Sequence, residues 1–132
     1  MIETNSKNRW EPDLPATFGR TVRHKPKVLV VEDMQVVLDM YLRVLEDAGY
    51  APLGVMSKAE AMSVLETGED FDAAVLDFSL PDGDALDILP RLMDRNPLTK
   101  ALIVTGQDDS EVPARVMNAG AHGYIEKPIE AS

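Results

Sequence analysis

The chain has 132 residues, 45% of them hydrophobic and 27% charged, the size and balance of one ordinary globular domain. With no cysteine it can form neither a disulfide nor a thiolate metal site, and no apolar run reaches the ~18 residues of a membrane-spanning helix. A formal net charge of −10 argues against direct nucleic-acid or acidic-membrane binding, and without a charged-then-apolar leader the expected location is cytoplasmic.

Residues 1–26 stand apart. They hold five basic groups (Lys7, Arg9, Arg20, Arg23, Lys25) and three acidic ones (Glu3, Glu11, Asp13), a net of +2 that leaves −12 for the rest. Pro12, Pro15 and Pro26 interrupt any sustained period, so the segment is expected to be a flexible N-terminal arm. Trp10, Leu14 and Phe18 recur every four residues, either as a short docking face or as scattered apolar residues of a mobile leader.

Residues 27–132 read as one folded domain. The run KVLVV (27–31) is short, apolar and β-branched, as expected of a strand buried on both faces. A helix is predicted from Met34 to Ala48, with Val37, Tyr41, Val44, Leu45 and Ala48 on one side and Gly49 as its stop. Strand 50–55 contains Pro52, which cannot donate to a ladder and so belongs at a sheet edge. Ser57 and Glu60 form a capping box for a helix ending near Gly68. A third strand is predicted at 71–76, then a loop with Pro81 and Gly83, then a helix from Ala85 to Arg95 stopped by Asn96-Pro97. Strand 100–104, a helix capped by Ser110 and ending at Gly120, and strand 123–126 complete the pattern. Alternation of strand and helix through five strands predicts an α/β fold, a doubly wound parallel sheet with helices on both faces.

Ligands of such sheets bind beyond the carboxyl ends of the strands. Those ends carry Glu32 and Asp33, then Asp77, then Thr105 with Gly106, then Lys127 with Pro128. Each alone is an ordinary solvated residue, but the joint occurrence at four strand ends points to one site. Three carboxylates placed together repel unless a cation intervenes. An all-oxygen set without Cys favours a hard divalent ion, Mg²⁺ first. Three negative charges against +2 from the ion and +1 from Lys127 then balance near zero. A carboxylate so placed can act as a nucleophile toward a phosphoryl group.

The segments VLVVEDM, VLDFSLPDGDALDIL, LIVTG and AGAHGYIEKPIE together resemble the receiver (response-regulator) domains of two-component signalling, of the chemotaxis-regulator type. The order and spacing carry the resemblance: 44 positions from Asp33 to Asp77, 28 to Thr105 and 22 to Lys127, with Tyr124 three before the lysine. It implies a flavodoxin-like strand order 2-1-3-4-5. It implies that Asp77 accepts a phosphoryl group from a sensor histidine kinase or histidine phosphotransfer protein. Glu32, Asp33, Asp77 and the backbone carbonyl of Ser79 would hold Mg²⁺. Thr105 would be the switch hydroxyl, Tyr124 the switch aromatic, Lys127 the phosphate partner, and Lys127–Pro128 a cis bond. The surface at 110–126 would then signal to an output domain, a downstream protein or a second copy. Such a domain is not a turnover enzyme; it catalyses only its own phosphorylation and dephosphorylation.

Family members carry a fifth helix after the Lys-Pro turn, whereas Ile129, Glu130, Ala131 and Ser132 are too few for one. The fifth helix is therefore expected to be missing or replaced. Either the chain is a fragment of a longer regulator, or the arm or a second copy covers the vacated sheet face. Two other readings compete. A receiver-fold interaction module working without phosphate would not need the intact acid, hydroxyl and lysine set. A dehalogenase-type phosphatase would want a second Asp where Ser79 stands. No glycine-rich turn follows the first strand, so dinucleotide or P-loop binding is not supported.

Overall fold

In the computed structural model, which describes residues 24–106 and 111–127, the apolar run at 27–31 is the centre of the fold. It forms β1 (Lys27–Val31), whose last four residues are buried. β1 pairs in parallel with β2 (Ala51–Val55) on one side and with β3 (Ala73–Asp77) on the other. β3 pairs with β6 (Lys100–Thr105), and β6 with β7 (Gly123–Glu126), again in parallel. The order β2-β1-β3-β6-β7 is the expected 2-1-3-4-5 arrangement once two short strands, β4 (Ser79–Leu80) and β5 (Gly83–Asp84), are set aside. Pro52 does lie on the edge strand, opposite Val28.

Register sorts the strand residues onto two faces. Leu29, Ala74 and Ala101 form one row and Val31, Leu76, Ile103 and Tyr124 the next. Three helices cover that face: α2 (Lys58–Glu66), α3 (Ala85–Arg95) and α4 (Val112–Asn118). The opposite face presents Val28, Ala73 and Lys100, then Val30, Val75, Leu102 and Gly123. Only α1 (Gln35–Asp47) packs there among the described residues, through Leu38 and Tyr41. Residues 128–132, which include Pro128 and the start of any fifth helix, lie outside the described residues, as do residues 1–23 of the arm.

Several local expectations shift. The third strand runs two residues later than predicted at its start and ends on Asp77 itself. In α1, Val44 is 45% exposed, and Leu38 takes the buried place beside Tyr41, because the helix leans mainly over β1 and β2. The capping box holds with a one-residue offset. Ser57 Oγ accepts from Glu60 N, while Glu60 Oε1 accepts from Met56 N rather than from the cap residue. α4 begins at Val112 with Glu111 in the cap position, and Ser110 lies outside the described residues. α3 runs through Pro90, whose exposed ring leaves the Leu86 carbonyl without its usual intrahelical donor.

The loop predicted after β3 is a tight antiparallel hairpin, Ser79 opposite Asp84 and Leu80 opposite Gly83. Asp82 at its tip accepts from Lys58 N (2.8 Å) and Ala59 N (2.9 Å). These bonds to the exposed first turn of α2 hold the Asp82 carboxyl below its ordinary range. Ala85 N donates to Phe78 O at 2.9 Å and closes the hairpin against β3. The segment after Asp77 is thus fixed at both ends.

A second tie anchors the opposite end of the sheet. Thr99, 1% exposed, donates from Oγ1 to Phe71 O at 2.7 Å. Thr99→Val keeps the shape and leaves that carbonyl unpaired, so chemical denaturation should show a loss of about 1–3 kcal/mol.

Candidate functional site

Two of the strand ends named by sequence, those of β1 and β3, deliver three carboxylates to one point. Glu32 follows β1 and is anchored by its N–H to Val55 O at 3.1 Å. Asp77 ends β3 and Asp33 stands at the rim as the most exposed of the three. Their carboxylate oxygens lie within 4.8 Å of one another. Two oxygens sharing one small divalent ion at about 2.1 Å sit roughly 3–4 Å apart, so this cluster can hold a metal ion with little rearrangement.

The fourth strand end delivers the cation. Lys127 N donates to Thr105 O (2.8 Å), which carries β7's end alongside β6. The side chain then reaches Asp77 Oδ2 at 3.1 Å and lies 3.7 Å from Glu32 Oε1. Burial works against the ammonium, but its bond to Asp77 and the charges of Asp77 and Glu32 outweigh that and hold its pKa above the ordinary lysine value.

Charge remains unbalanced here. Glu32 is fully buried and Asp77 nearly so. Burial is the main influence raising the Glu32 carboxyl above its ordinary range. Asp77 and Asp33 add to it, while the Met34 N–H and Lys127 offset only part. Glu32 Oε2 accepts from Met34 N at 3.0 Å. Glu32 Oε1 and Thr105 Oγ1 are buried without a hydrogen-bond partner among the described residues. An orphaned buried carboxylate oxygen beside two further acids fits a cation ligand in waiting.

A raised acid pKa has a signed consequence. Glu32 favours the fold fully below its unfolded value near 4.5 and loses that contribution as pH rises through the raised value. Glu32→Gln imitates the protonated form. In chelator it should match wild-type stability at acid pH, below the unfolded value, and exceed it at neutral pH. A divalent cation should shrink or reverse that gap by stabilising wild type more. Urea unfolding across pH, with chelator or cation, checks both halves.

The remaining residues named from sequence are placed as follows. Ser79 is exposed, and its N–H makes only a long contact of 3.4 Å to Asp77 Oδ1. Thr105 is the buried last residue of β6. Tyr124 is 45% exposed on edge strand β7, in the row of Ile103 on the α4 side. Pro128, and so the Lys127–Pro128 bond, is outside the described residues. Sequence reasoning missed one neighbour of the site and one anchor of the hairpin that follows it. Tyr41 was assigned only to the apolar face of α1. It is buried, and burial first, then the Glu32 charge, raises its hydroxyl pKa, so the ring lies within the field of the acids. Asp82 was passed over as a loop residue, although the Pro81-Asp82-Gly83 turn between two short extended pairs was a readable hairpin signal.

Comparison with known proteins bears on this arrangement. The family model described as "Response regulator receiver domain" matches residues 28–132. The transcriptional regulatory protein BasR of Escherichia coli is 32% identical over 103 residues, 78% of this chain and 46% of BasR. A CheY-like receiver domain protein from Methanospirillum hungatei superposes with a TM-score of 0.74 at 31% identity, over 80% of this chain and 84% of that one. A response regulator from Burkholderia pseudomallei, solved with a phosphorylated aspartic acid, a calcium ion and citrate, superposes with a TM-score of 0.73 at 27% identity, covering 80% and 62%. The chain spans only about a quarter of the length of several other curated relatives that it matches. No helix among the described residues is long and apolar enough to cross a membrane. Fold, strand order and family match agree with the acid and lysine pattern from which the site was first read, and the chain belongs to the response regulator receiver domain family.

Proposed function

We propose that this chain is a phosphorylation-driven switch in which Asp77 accepts a phosphoryl group from a phosphohistidine donor, a sensor kinase or a histidine phosphotransfer protein in the cytoplasm. One observation carries the reading. A buried aspartate is bonded to a lysine ammonium while a second buried acid beside it keeps an oxygen with no hydrogen-bond partner among the described residues. The relative from Burkholderia pseudomallei, with its phosphorylated aspartic acid and calcium ion, supports it.

Glu32, Asp33 and Asp77, with the Ser79 carbonyl, are the proposed holders of Mg²⁺. When bound, the ion would neutralise the acids and stabilise charge on the phosphoryl oxygens. Asp77 forms the new P–O bond as the donor's P–N bond breaks, and the departing imidazole takes a proton from solvent. Lys127 remains against the phosphoryl oxygens and stabilises their charge in the transition state. The fixed hairpin at 79–84 keeps Ser79 beside the acceptor. Thr105, whose hydroxyl has no bonding partner among the described residues, gains one when the phosphate arrives. That draws the end of β6 inward and gives exposed Tyr124 space to turn toward it. The signal leaves through α4 and β7 to an output domain, a downstream protein or a second copy.

Beryllofluoride, a phosphoryl mimic, tests this reading. With Mg²⁺ it should raise the melting temperature of wild type and leave Asp77→Asn unmoved. An equal response in both would refute Asp77 as acceptor. No response in wild type would favour the interaction module that works without phosphate.

Gly106 adjoins the switch hydroxyl, and an added Cβ there meets nothing within 4 Å among the described residues. Gly106→Ala should therefore fold normally, with a gain of about 0.4–1 kcal/mol from the less flexible unfolded chain. The methyl group narrows the path for water, so the acyl phosphate should last longer. Phosphate release after removal of the donor checks this.

A further inference from the structure

Ser79 is held only weakly by its own neighbourhood. Its N–H makes the long 3.4 Å contact to Asp77 Oδ1, and β4 pairs with β5 apart from the main sheet. The place of its carbonyl is therefore inherited from the hairpin, through the Ser79–Asp84 pair. Two helices hold that hairpin. At the α3 end, Asp84 Oδ1 accepts from Leu86 N at 2.9 Å and Ala85 N donates to Phe78 O. At the tip, Asp82 spreads its two oxygens over the start of α2, Oδ1 on Lys58 N and Oδ2 on Ala59 N. Ser57 Oγ already serves Glu60 N, so the first three amides of α2 are satisfied, two of them from across the fold. Lys58 adds a further tie. Its side chain crosses Gly83, where an added Cβ would fall 2.9 Å from Lys58 Cδ, and it ends 3.2 Å from Asp87 Oδ2.

We propose that Asp82 is a positioning residue for the divalent-cation site, one that fixes the Ser79 carbonyl by tying the hairpin to α2 and so couples cation binding to the first turn of that helix. This rests on the reading of Glu32, Asp33, Asp77 and the Ser79 carbonyl as the cation's holders, and not on phosphorylation. Mg²⁺ demands near-ideal octahedral geometry, whereas Ca²⁺ accepts flexible shells, so a carbonyl that wanders penalises Mg²⁺ more. The two Asp82 bonds are exposed, so losing them loosens the hairpin locally and leaves the sheet folded. Coupling is also reciprocal. Whatever factor the contact adds to cation affinity, the cation adds to the contact.

Amide-resolved NMR titration of the 132-residue chain with Mg²⁺ alone, then Ca²⁺ alone, tests this. Asp82→Ala should weaken Mg²⁺ binding about tenfold, the scale on which outer partners hold metal ligands in place. Its loss of Ca²⁺ affinity should be smaller, and its urea midpoint in chelator should stay close to wild type. Asp82→Asn keeps one acceptor oxygen and should fall between. Lys58→Pro removes a donor from the far side, at a first helical position preceded by extended Ser57 that suits proline. It should weaken Mg²⁺ binding too, whereas Lys58→Ala keeps the N–H and should not. In wild type, Mg²⁺ should slow hydrogen exchange at Lys58 and Ala59, and Asp82→Ala should abolish that protection. Unchanged Mg²⁺ affinity in Asp82→Ala, equal losses for the two ions, or exchange at Lys58 and Ala59 indifferent to Mg²⁺ would each overturn the proposal. A urea midpoint that falls along with the affinity would make Asp82 a general stabiliser and overturn it as well. No Mg²⁺-induced shifts around Asp77 in wild type would overturn the cation site itself, and this inference with it.

Discussion

Lys127→Met is expected to slow phosphorylation of Asp77 by about 10²–10³-fold while Mg²⁺ still binds. Methionine keeps most of the stem and removes the only ammonium that touches Asp77 among the described residues, at 3.1 Å. The same charge stands 3.7 Å from Glu32, so its loss leaves two buried carboxylates without a cation in the metal-free protein. That protein should be destabilised at neutral pH and regain much of the loss near pH 4, where Glu32 takes up a proton. Lys127 supports the fold below its raised pKa, throughout the neutral range, and this support disappears only in strong alkali. Phosphorylation rate from a small-molecule donor and denaturant midpoints at two pH values separate the chemical loss from the structural one. A rate within threefold of wild type would remove Lys127 from the transition state.

The second large effect concerns neighbouring residues on opposite faces of β6. Ile103 is fully buried under three helices, whereas Leu102 lies on the other face and is only partly buried among the described residues. Ile103→Ala should cost about 2–5 kcal/mol, since close-packed neighbours cannot collapse into the space left behind. Leu102→Ala should cost less than half as much. Guanidinium unfolding of the two variants measures the asymmetry, and equal losses would show that the Leu102 face is as tightly packed as the other.

Most of the architecture was legible because each strand is a short apolar run bounded by a clear stop. KVLVV, the Pro52 edge strand and the Ser57/Glu60 cap appear in the structure nearly as their chemistry dictates. The site was legible for a different reason. In a parallel sheet all strands end on the same rim, so residues 44, 28 and 22 positions apart meet without long-range information. What sequence concealed depends on packing partners. Val44 fits a helical apolar stripe, yet α1 leans mainly over β1 and β2 and leaves Val44 outside. Asp82 is a common turn residue until the α2 N-terminus arrives beside it from 24 positions away. The burial that raises Glu32 comes from the whole fold and has no local signature. The helix expected across Pro90 does form, because α3 carries that ring on an exposed side where it meets solvent.

Intact-mass measurement after incubation with a small-molecule phosphodonor tests the central claim most directly. One phosphoryl group should appear in the presence of Mg²⁺, map to Asp77 by borohydride reduction and peptide sequencing, and vanish with chelator or in Asp77→Asn. A phosphoryl group that forms without a divalent ion, persists in that variant or maps to another side chain would contradict the account.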